Sequence, residues 1–226
     1  MRVTLPSGTA ATRVRPDGAR HGLVIATDIF GLRPLFEDLA ERLAAAYSVT
    51  VCVPEPFPGL ELGPDIDARQ QAMASKQDAD TLRDLIEAAD ATGAEHVGLI
   101  GFCMGGMYCH KAAPTGRFER IVSFYGMIRL PDRWRSPGQG EPLDLLARGG
   151  AERVLALVGE RDPYTPGPDV EALEAAGVSV VRYRDAEHGF VHDPSHCPQR
   201  SQASAASSAR YEARLGSCTK PCSASR

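Results

Sequence analysis

A cysteine between glycines has the surroundings best suited to chemistry in this sequence. Residues 101–106 read Gly-Phe-Cys-Met-Gly-Gly and follow a short apolar run that is typical of a buried strand. A strand that turns directly into a helix leaves no space for side chains two positions before and after the apex, so glycines stand there. The turn would expose the Cys103 thiol at a helix N-terminus, whose partial positive charge favours a thiolate. The pattern predicts a cysteine nucleophile, and the alternative is an inert thiol in a glycine-rich turn.

An acid and a histidine follow the cysteine, each just after a later apolar run. Asp162 comes after residues 154–158, and His188 comes after residues 178–183. A nucleophile, an acid and a histidine in this order at successive strand ends form the chain order of an α/β-hydrolase triad. His188 would take the thiol proton and later protonate the leaving group, while Asp162 would hold the imidazole tautomer and stabilise its charged form. The nearest competitors for these two roles are Glu160, Asp185 and His192.

Short apolar runs alternate with helical patterns along most of the chain. The predicted strands are residues 23–26, 49–53, 97–100, 121–124, 154–158 and 178–183; the predicted helices are residues 36–46, 68–91, a segment from 105 onward, and 170–176. Segments 57–67 and 129–143 are rich in Pro and Gly and are predicted to be loops. This alternation predicts βαβ units, and therefore one three-layer α/β domain with a mostly parallel central sheet, over residues 1–194.

Composition and charge exclude several classes of function. The 226 residues carry a net charge of −4, which offers no electrostatic attraction for nucleic acid. No apolar run approaches the roughly 20 residues that span a bilayer, and the N-terminus lacks the apolar core of a secretory signal. We therefore expect a cytoplasmic protein with no nucleic-acid and no membrane partner, and the choice between monomer and homodimer stays open.

The six cysteines do not have the spacing of a small disulfide framework. They stand at positions 52, 103, 109, 197, 218 and 222. Most should be reduced thiols in a cytosolic α/β protein, and Cys52 lies inside an apolar run where a buried, inert thiol is expected. Cys218 and Cys222 could form a disulfide or bind a metal ion. A zinc site would need a second pair of Cys or His residues at zinc-finger spacing, and no such pair accompanies them. We expect no metal.

A fourth motif makes a family resemblance specific. Thr27-Asp28-Ile29-Phe30-Gly31-Leu32 follows the first predicted strand, and a Gly-x-x-Asp segment and a His-Gly-Phe segment surround Asp162 and His188. With the Gly-x-Cys-x-Gly-Gly motif, these segments resemble the dienelactone hydrolase family over residues 20–193, in the family's order. The resemblance implies an α/β-hydrolase fold and hydrolysis of an ester or lactone, as in carboxymethylenebutenolidase. It also implies a thioacyl intermediate on Cys103 and no cofactor.

The resemblance also implies further site residues. The backbone N–H groups of Ile29 and Met104 would form an oxyanion hole, in which each donor contributes on the order of 3 kcal/mol. Asp28 stands where the family has a glutamate whose carboxylate touches the resting thiol. If Asp28 lies close to the sulfur, repulsion between like charges would hold Cys103 as a thiol until substrate arrives. Aspartate is one methylene shorter than glutamate, so the direct contact between Asp28 and Cys103 is one of three alternatives. The others are a contact through water, and hydrogen bonds from Asp28 to its own loop alone.

The substrate pocket is less well defined by the sequence. Well-known family members bind a substrate carboxylate through arginines, one of them four residues after the catalytic histidine, and this chain has His192 there. The candidate replacements are Arg69, Arg129, Arg133 and Arg135. The aromatic residues expected to line the pocket are Phe30, Tyr125 and Trp134, with an ordinary core position as the alternative for each.

Two other classes of function compete with a hydrolase. A stress-response sensor of the DJ-1-like type also places a reactive cysteine in a strand-to-helix turn beside an acid, as Cys103 and Asp28 would be. Such a sensor has no need of Asp162 and His188 at later strand ends. The third hypothesis is an inactive binding domain on the same fold.

Residues 195–226 are dominated by Ser, Ala, Arg and Gln, and are predicted to be a disordered or loosely docked tail, or the product of a shifted reading frame.

Overall fold

The computed structural model describes residues 1–192, so the predictions for residues 195–226 lie outside the described part of the chain. The strands are β1 (Arg2–Thr4), β2 (Ala10–Val14), β3 (His21–Ala26), β4 (Val49–Pro54), β5 (Val97–Phe102), β6 (Arg120–Phe124), β7 (Val154–Gly159) and β8 (Ser179–Tyr183). The helices are α1 (Pro34–Tyr47), α2 (Ile66–Ser75), α3 (Asp78–Ala91), α4 (Met104–Ala112), α5 (Pro142–Leu146) and α6 (Gly167–Ala175). Single 3₁₀ turns span Ala113–Thr115, Asp132–Trp134 and Ala151–Arg153.

The strands form one sheet in the order β1-β2-β4-β3-β5-β6-β7-β8. Strands β1 and β2 pair antiparallel, as do β2 and β4, and every other pair is parallel. From the centre of the sheet, β4 follows β3 toward one edge, whereas β6, β7 and β8 follow β5 toward the other edge. The strand order therefore reverses between β3 and β5, and ligands of open α/β sheets bind outside the carboxyl ends of the strands at such a point.

Alternate residues of the central strands build a core on each face of the sheet. Leu23 and Ile25 of β3 pack with Phe36, Ala40 and Ala44 of α1 on one face. Val24 of β3 packs on the other face with residues of α3 and α4 such as Leu85 and Met107. This alternation follows from the two-residue repeat of a strand, and it explains why these strands read as continuous apolar runs. The mostly parallel, three-layer α/β fold predicted from the sequence is confirmed.

Three local features differ from the prediction. Strands β1 and β2 were not expected, because an antiparallel edge carries no continuous apolar run: of the five residues of β2, Ala11 and Thr12 alone are buried. The helix predicted over residues 68–91 is two helices, α2 and α3, because Lys76 and Gln77 have extended backbone between them. The loop predicted over residues 129–143 contains a 3₁₀ turn and the first residues of α5.

The helices are short. The longest in the described chain, α1 and α3, have 14 residues each. Within residues 1–192, no helix has both the length and the apolar character that crossing a bilayer requires.

Candidate active site

Cys103 occupies the apex of the turn between β5 and α4. Its backbone has φ 53° and ψ −114°, in the positive-φ region that residues other than glycine rarely adopt. Two hydrogen bonds hold this conformation: the Cys103 N–H donates to the Phe124 carbonyl at 3.0 Å, and the Met107 N–H donates to the Cys103 carbonyl at 3.0 Å. A strained residue costs about 1–3 kcal/mol, so the surrounding contacts must compensate. The result is a half-buried thiol held at the first turn of a helix.

Glycines allow the turn to lie directly against the neighbouring strand. A Cβ atom on Gly105 would stand 2.1 Å from the Ala26 carbonyl oxygen, and a Cβ atom on Gly101 would stand 2.2 Å from the Gly105 carbonyl oxygen. Both obstacles are backbone atoms, which cannot turn aside as a flexible side chain can. Gly105 is therefore required by close packing between the turn and the end of β3, and Gly101 by close packing of β5 against the first turn of α4.

The loops after β7 and β8 bring Asp162 and His188 together. Oδ2 of Asp162 accepts a hydrogen bond from Nδ1 of His188 at 2.8 Å, and Oδ1 accepts one from the backbone N–H of Tyr164 at 2.8 Å. The Asp162 side chain is fully buried. Because a carboxylate can only accept, the contact assigns the proton to Nδ1 and leaves Nε2 of His188 for Cys103.

Aromatic rings fix the plane of the His188 imidazole. The ring of Tyr125 meets it edge-on at 5.0 Å between centroids, and the ring of Tyr164 does so at 4.8 Å. Tyr125 directly follows β6 and is buried, whereas Tyr164 is partly exposed. The sequence analysis did not single out Tyr164, since a tyrosine two residues after an acid has no distinctive signal.

The environment of His188 favours its protonated form. Burial disfavours a charged imidazole, but the hydrogen bonds with Asp162 and Cys103, and the negative charges of both residues, outweigh it and raise the pKa of His188 to about 10. An imidazolium at neutral pH is the partner that a thiolate needs. The site therefore holds the Cys103 sulfur, a charged imidazole and a buried carboxylate in one hydrogen-bonded line.

Two backbone N–H groups, one next to Cys103 in the chain and one in the loop after the adjacent strand, have no hydrogen-bond acceptor among the described residues. One belongs to Met104, the first residue of α4, and the other belongs to Ile29 in the loop after β3. The loop is held in shape by Arg69, whose guanidinium donates to the Ile29 carbonyl at 2.9 Å. Two N–H groups at such a position are the donors that a developing oxyanion requires.

Asp28 is engaged by its own loop. Its two carboxylate oxygens accept from the two terminal nitrogens of Arg33 at 2.6 and 2.7 Å, and Oδ1 also accepts from the Phe30 N–H at 2.9 Å. Among residues 1–192, no hydrogen bond joins Asp28 to the Cys103 thiol. Arg33 was not predicted to be a site residue. The spacing of five residues between Asp28 and Arg33 is the sequence feature that could have indicated this ion pair.

The predicted pocket residues have different positions. Phe30 is 38% exposed at the surface of the loop after β3, and Arg69 lies over its ring at 5.9 Å. Tyr125 contacts His188, as described. Trp134 is buried, its indole N–H donates to Gln70, and no hydrogen bond or ring contact joins it to the triad in the described chain.

The remaining candidates of the sequence analysis lie away from the thiol or in other contacts. Asp185 pairs with Arg161 at 2.6 Å, and Glu160 is exposed. His192 packs against the rings of Phe36 and Phe102. The other arginines proposed as anchors are placed as follows: Arg129 pairs with Asp169, Arg135 pairs with Asp132 and Glu141, and Arg133 is exposed.

Known proteins are similar to this chain in sequence and in fold. The sequence model of the dienelactone hydrolase family matches residues 9–216. A putative carboxymethylenebutenolidase of Synechocystis sp. is 30% identical over 206 residues, which cover 83% of this chain and 80% of that protein. The carboxymethylenebutenolidase of Rhodococcus opacus is 28% identical over 79% of this chain and 75% of its own. 

Solved structures agree with the sequence comparison. The crystal structure of a putative dienelactone hydrolase from Klebsiella pneumoniae superposes with a TM-score of 0.71 at 27% identity, over 84% of this chain and 87% of that chain. An esterase from Pyrobaculum calidifontis, 17% identical, shares the fold with a TM-score of 0.62 over 95% of this chain and 85% of its own. With the fold, the glycine-flanked cysteine and these matches together, the chain belongs to the dienelactone hydrolase family of α/β-hydrolases.

Proposed function

We propose that the protein hydrolyses a carboxylic ester or lactone, with Cys103 as the nucleophile, His188 as the base and acid, and Asp162 as its positioning carboxylate. The observation that carries this proposal is the 2.8 Å hydrogen bond between buried Asp162 and His188, beside a cysteine in a positive-φ turn. The names of the relatives agree with it, since they include carboxymethylenebutenolidases and a probable lactonase of Bradyrhizobium sp..

In the first half of the reaction, the Cys103 thiolate attacks the carbonyl carbon of the substrate. The carbonyl π electrons move to oxygen, and the N–H groups of Ile29 and Met104 would donate hydrogen bonds to the resulting oxyanion. The tetrahedral intermediate collapses, the C–O bond to the alcohol breaks, and the leaving oxygen takes the proton from the His188 imidazolium. A thioester on Cys103 remains, and a lactone stays attached through it as an open chain.

In the second half, water replaces the sulfur. Neutral His188 removes a proton from water, and the hydroxide oxygen attacks the thioester carbonyl. The second tetrahedral intermediate expels the Cys103 thiolate and releases a carboxylic acid. The thiolate then stands again beside the protonated imidazole. Each oxyanion donor would contribute on the order of 3 kcal/mol to both tetrahedral stages.

The mouth of the site favours a small substrate with an anionic group. Of the four arginines considered as anchors for a substrate carboxylate, Arg69 contacts the loop after β3, because its guanidinium donates to the Ile29 carbonyl. It also lies over the exposed ring of Phe30, which offers an apolar surface to the rest of the substrate. We therefore assign a compact ester or lactone that carries a carboxylate as the substrate class, with Arg69 as its anchor.

The sensor alternative receives less support from the geometry. A cysteine sensor of the DJ-1-like type depends on a carboxylate in contact with the thiol, whereas both oxygens of Asp28 are engaged by Arg33. The pair of Asp162 and His188 has a role in hydrolysis and none in that sensor chemistry.

Turnover of an ester and a lactone by matched variants tests the proposal. We expect the wild type to hydrolyse p-nitrophenyl acetate and an unsaturated five-membered lactone. Cys103→Ala and His188→Ala should each lower kcat by at least about 10³-fold on the lactone, whose leaving alkoxide needs a proton. Cys52→Ala and His96→Ala serve as controls, because Cys52 is buried in β4 and His96 is exposed beside Glu119. If His188→Ala opens the lactone as fast as the wild type, the proposed triad is wrong.

A further inference from the structure

The salt bridge between Asp28 and Arg33 is a feature that the hydrolytic steps do not use. It is bidentate, with distances of 2.6 and 2.7 Å, and its two side chains are 13% and 30% exposed. Arg33 immediately precedes α1, and its guanidinium lies 4.9 Å from the ring centre of Phe36 and 5.5 Å from that of Phe30. Packing on two rings holds the guanidinium in one place, so the carboxylate it binds is held as well.

The strand register places this pair at the level of the nucleophile. Ala26 of β3 is the register partner of Gly101 of β5, so Asp28 and Cys103 each stand two residues beyond partners on adjacent parallel strands. Phe102 is likewise the partner of Phe124, which places Tyr125 beside Cys103 on the other side. Adjacent parallel strands are about 4.8 Å apart, so Asp28 and Cys103 follow neighbouring strand ends at the same edge of the sheet.

The pKa of buried Tyr125 shows that these charges share one environment. Burial raises it most, the negative charges of Cys103 and Asp28 raise it further, and the positive charge of Arg33 lowers it. An unpaired carboxylate at the position of Asp28 would oppose a further negative charge at this edge of the sheet.

We propose that Arg33 is a positioning residue for the nucleophile: it binds both oxygens of Asp28 and cancels its charge, so that Cys103 rests as a thiolate beside the His188 imidazolium before any substrate arrives. This inference rests on the proposed function, in which that thiolate is the nucleophile. It also reverses the gating that an Asp28 in contact with the thiol would produce.

The other charged and titratable groups around the thiol agree with this resting state. His188 is the cation next to the sulfur, and the charge of Asp162 is directed at the far side of the imidazole. The pKa of His192 is lowered by burial, so His192 is neutral at neutral pH and adds no charge. Glu55 also faces the loop after β3, and its two carboxylate oxygens accept from the backbone N–H groups of Leu32 and Phe57. Asp28 follows the strand next to that of Cys103, and Arg33 is its counter-ion.

Alkylation of Cys103 by iodoacetamide reports the thiolate without any substrate. The sulfur lone pair attacks the methylene carbon, a C–S bond forms, the C–I bond breaks, and iodide leaves; the thiol form does not react. Mass spectrometry of the peptide that contains Cys103 separates its rate from those of the other cysteines. In the wild type we expect alkylation near pH 6 to be nearly as fast as near pH 9.

Replacing Arg33 tests its role. In Arg33→Met the unpaired Asp28 carboxylate should slow alkylation near pH 6 by about two- to tenfold, because a like charge that raises the ionisation midpoint of the thiol by about one to two pH units has that effect, and should leave the rate near pH 9 almost unchanged. Arg33→Lys keeps the charge but not the bidentate bond, so it should lie between the two. Asp28→Asn combined with Arg33→Met removes both charges and should restore the wild-type rate near pH 6. Arg83→Met, which removes an exposed arginine from α3, is the matched control.

Two results would overturn the inference. One is that Arg33→Met and Arg33→Lys both react near pH 6 at the wild-type rate. The other is that Asp28→Asn combined with Arg33→Met reacts as slowly as Arg33→Met alone. General damage to the loop would slow the reaction at both pH values and would not be repaired by Asp28→Asn. The proposed function is tested by a different measurement. If Cys103→Ala still hydrolyses the lactone, the proposed function is wrong, whatever the alkylation rates are.

Discussion

A methyl group added at Gly105 should separate the two halves of the oxyanion hole. The new Cβ atom would stand 2.1 Å from the Ala26 carbonyl oxygen and 2.5 Å from that of Thr27. Cβ atoms do not approach other atoms within 3.0 Å, so the turn and the end of β3 must move apart by about 1 Å. Met104 lies on one side of this gap and the loop that carries Ile29 lies on the other.

The movement has a cost in stability and a larger cost in rate. Overpacking of this kind lowers the free energy of unfolding by about 1–3 kcal/mol, which leaves most domains folded. A misplacement of about 1 Å in a catalytic arrangement lowers the rate by about 10²-fold. For Gly105→Ala we therefore expect kcat/KM to fall about 100-fold in a protein that is still folded.

Ester hydrolysis and urea unfolding measure these two quantities on the same samples. Gly98→Ala is the matched control, because it makes the same substitution near the start of β5, away from the turn, and its new Cβ would have ordinary contacts, with the nearest atom 3.5 Å away on Leu23. We expect Gly98→Ala to keep kcat/KM within about threefold, since its side chain does not press on the backbone. Full activity in a folded Gly105→Ala would refute the reasoning, because the spacing of the two N–H groups would then be irrelevant to catalysis.

Three further predictions follow from buried charged groups. Asp162→Asn should lower kcat/KM for the ester by about 10³- to 10⁴-fold in steady-state assays, because the imidazole loses both the acceptor that sets its tautomer and the charge that stabilises its protonated form. Since the pKa of His188 is raised to about 10, its protonated form should contribute stability that is fully present below the ordinary value of 6.5 and is lost as pH rises through about 10. Urea unfolding of the wild type and of His188→Gln should show a difference in stability that shrinks across that range, and a constant difference would contradict it. Lys111 is fully buried with its ammonium 2.8 Å from Asp78, so Asp78→Ala should lower the free energy of unfolding by about 3–5 kcal/mol. Adding Lys111→Met to Asp78→Ala should recover part of that loss in the same unfolding measurement, because the uncompensated charge is gone.

Much of the fold was readable from the chain because parallel strands are buried on both faces. Strands β3 to β8 are short apolar runs between turn signals, and each predicted strand is present within one or two residues. The edge strands β1 and β2 lacked such a run, and their place depends on pairing with β4, which is distant in the sequence. The break between α2 and α3 was likewise unpredictable from periodicity, because the Lys76 side chain binds the Pro56 carbonyl and the Asp78 N–H binds the Gly138 carbonyl.

The buried pair of Lys111 and Asp78 shows the same limit. Each residue by itself looks like a helix-surface charge, and sequence patterns place charged residues in solvent unless they are paired. The pair forms because α4 packs in the middle of the domain, where the start of α3 and the Gly140 N–H meet it. That meeting brings together residues 33 positions apart, which a local pattern does not record.

The sequence by itself determined the order and the local geometry of Cys103, Asp162 and His188. These depend on short-range rules: glycines where a turn is too tight for side chains, and loops that follow apolar strands. The tertiary structure decided which charges stand near Cys103, because Asp28 reaches its level only through the register of β3 and β5, and because Arg33, at the start of α1, binds both oxygens of Asp28. A motif specifies which side chains are available, whereas electrostatic interactions depend on distances that only the assembled fold establishes.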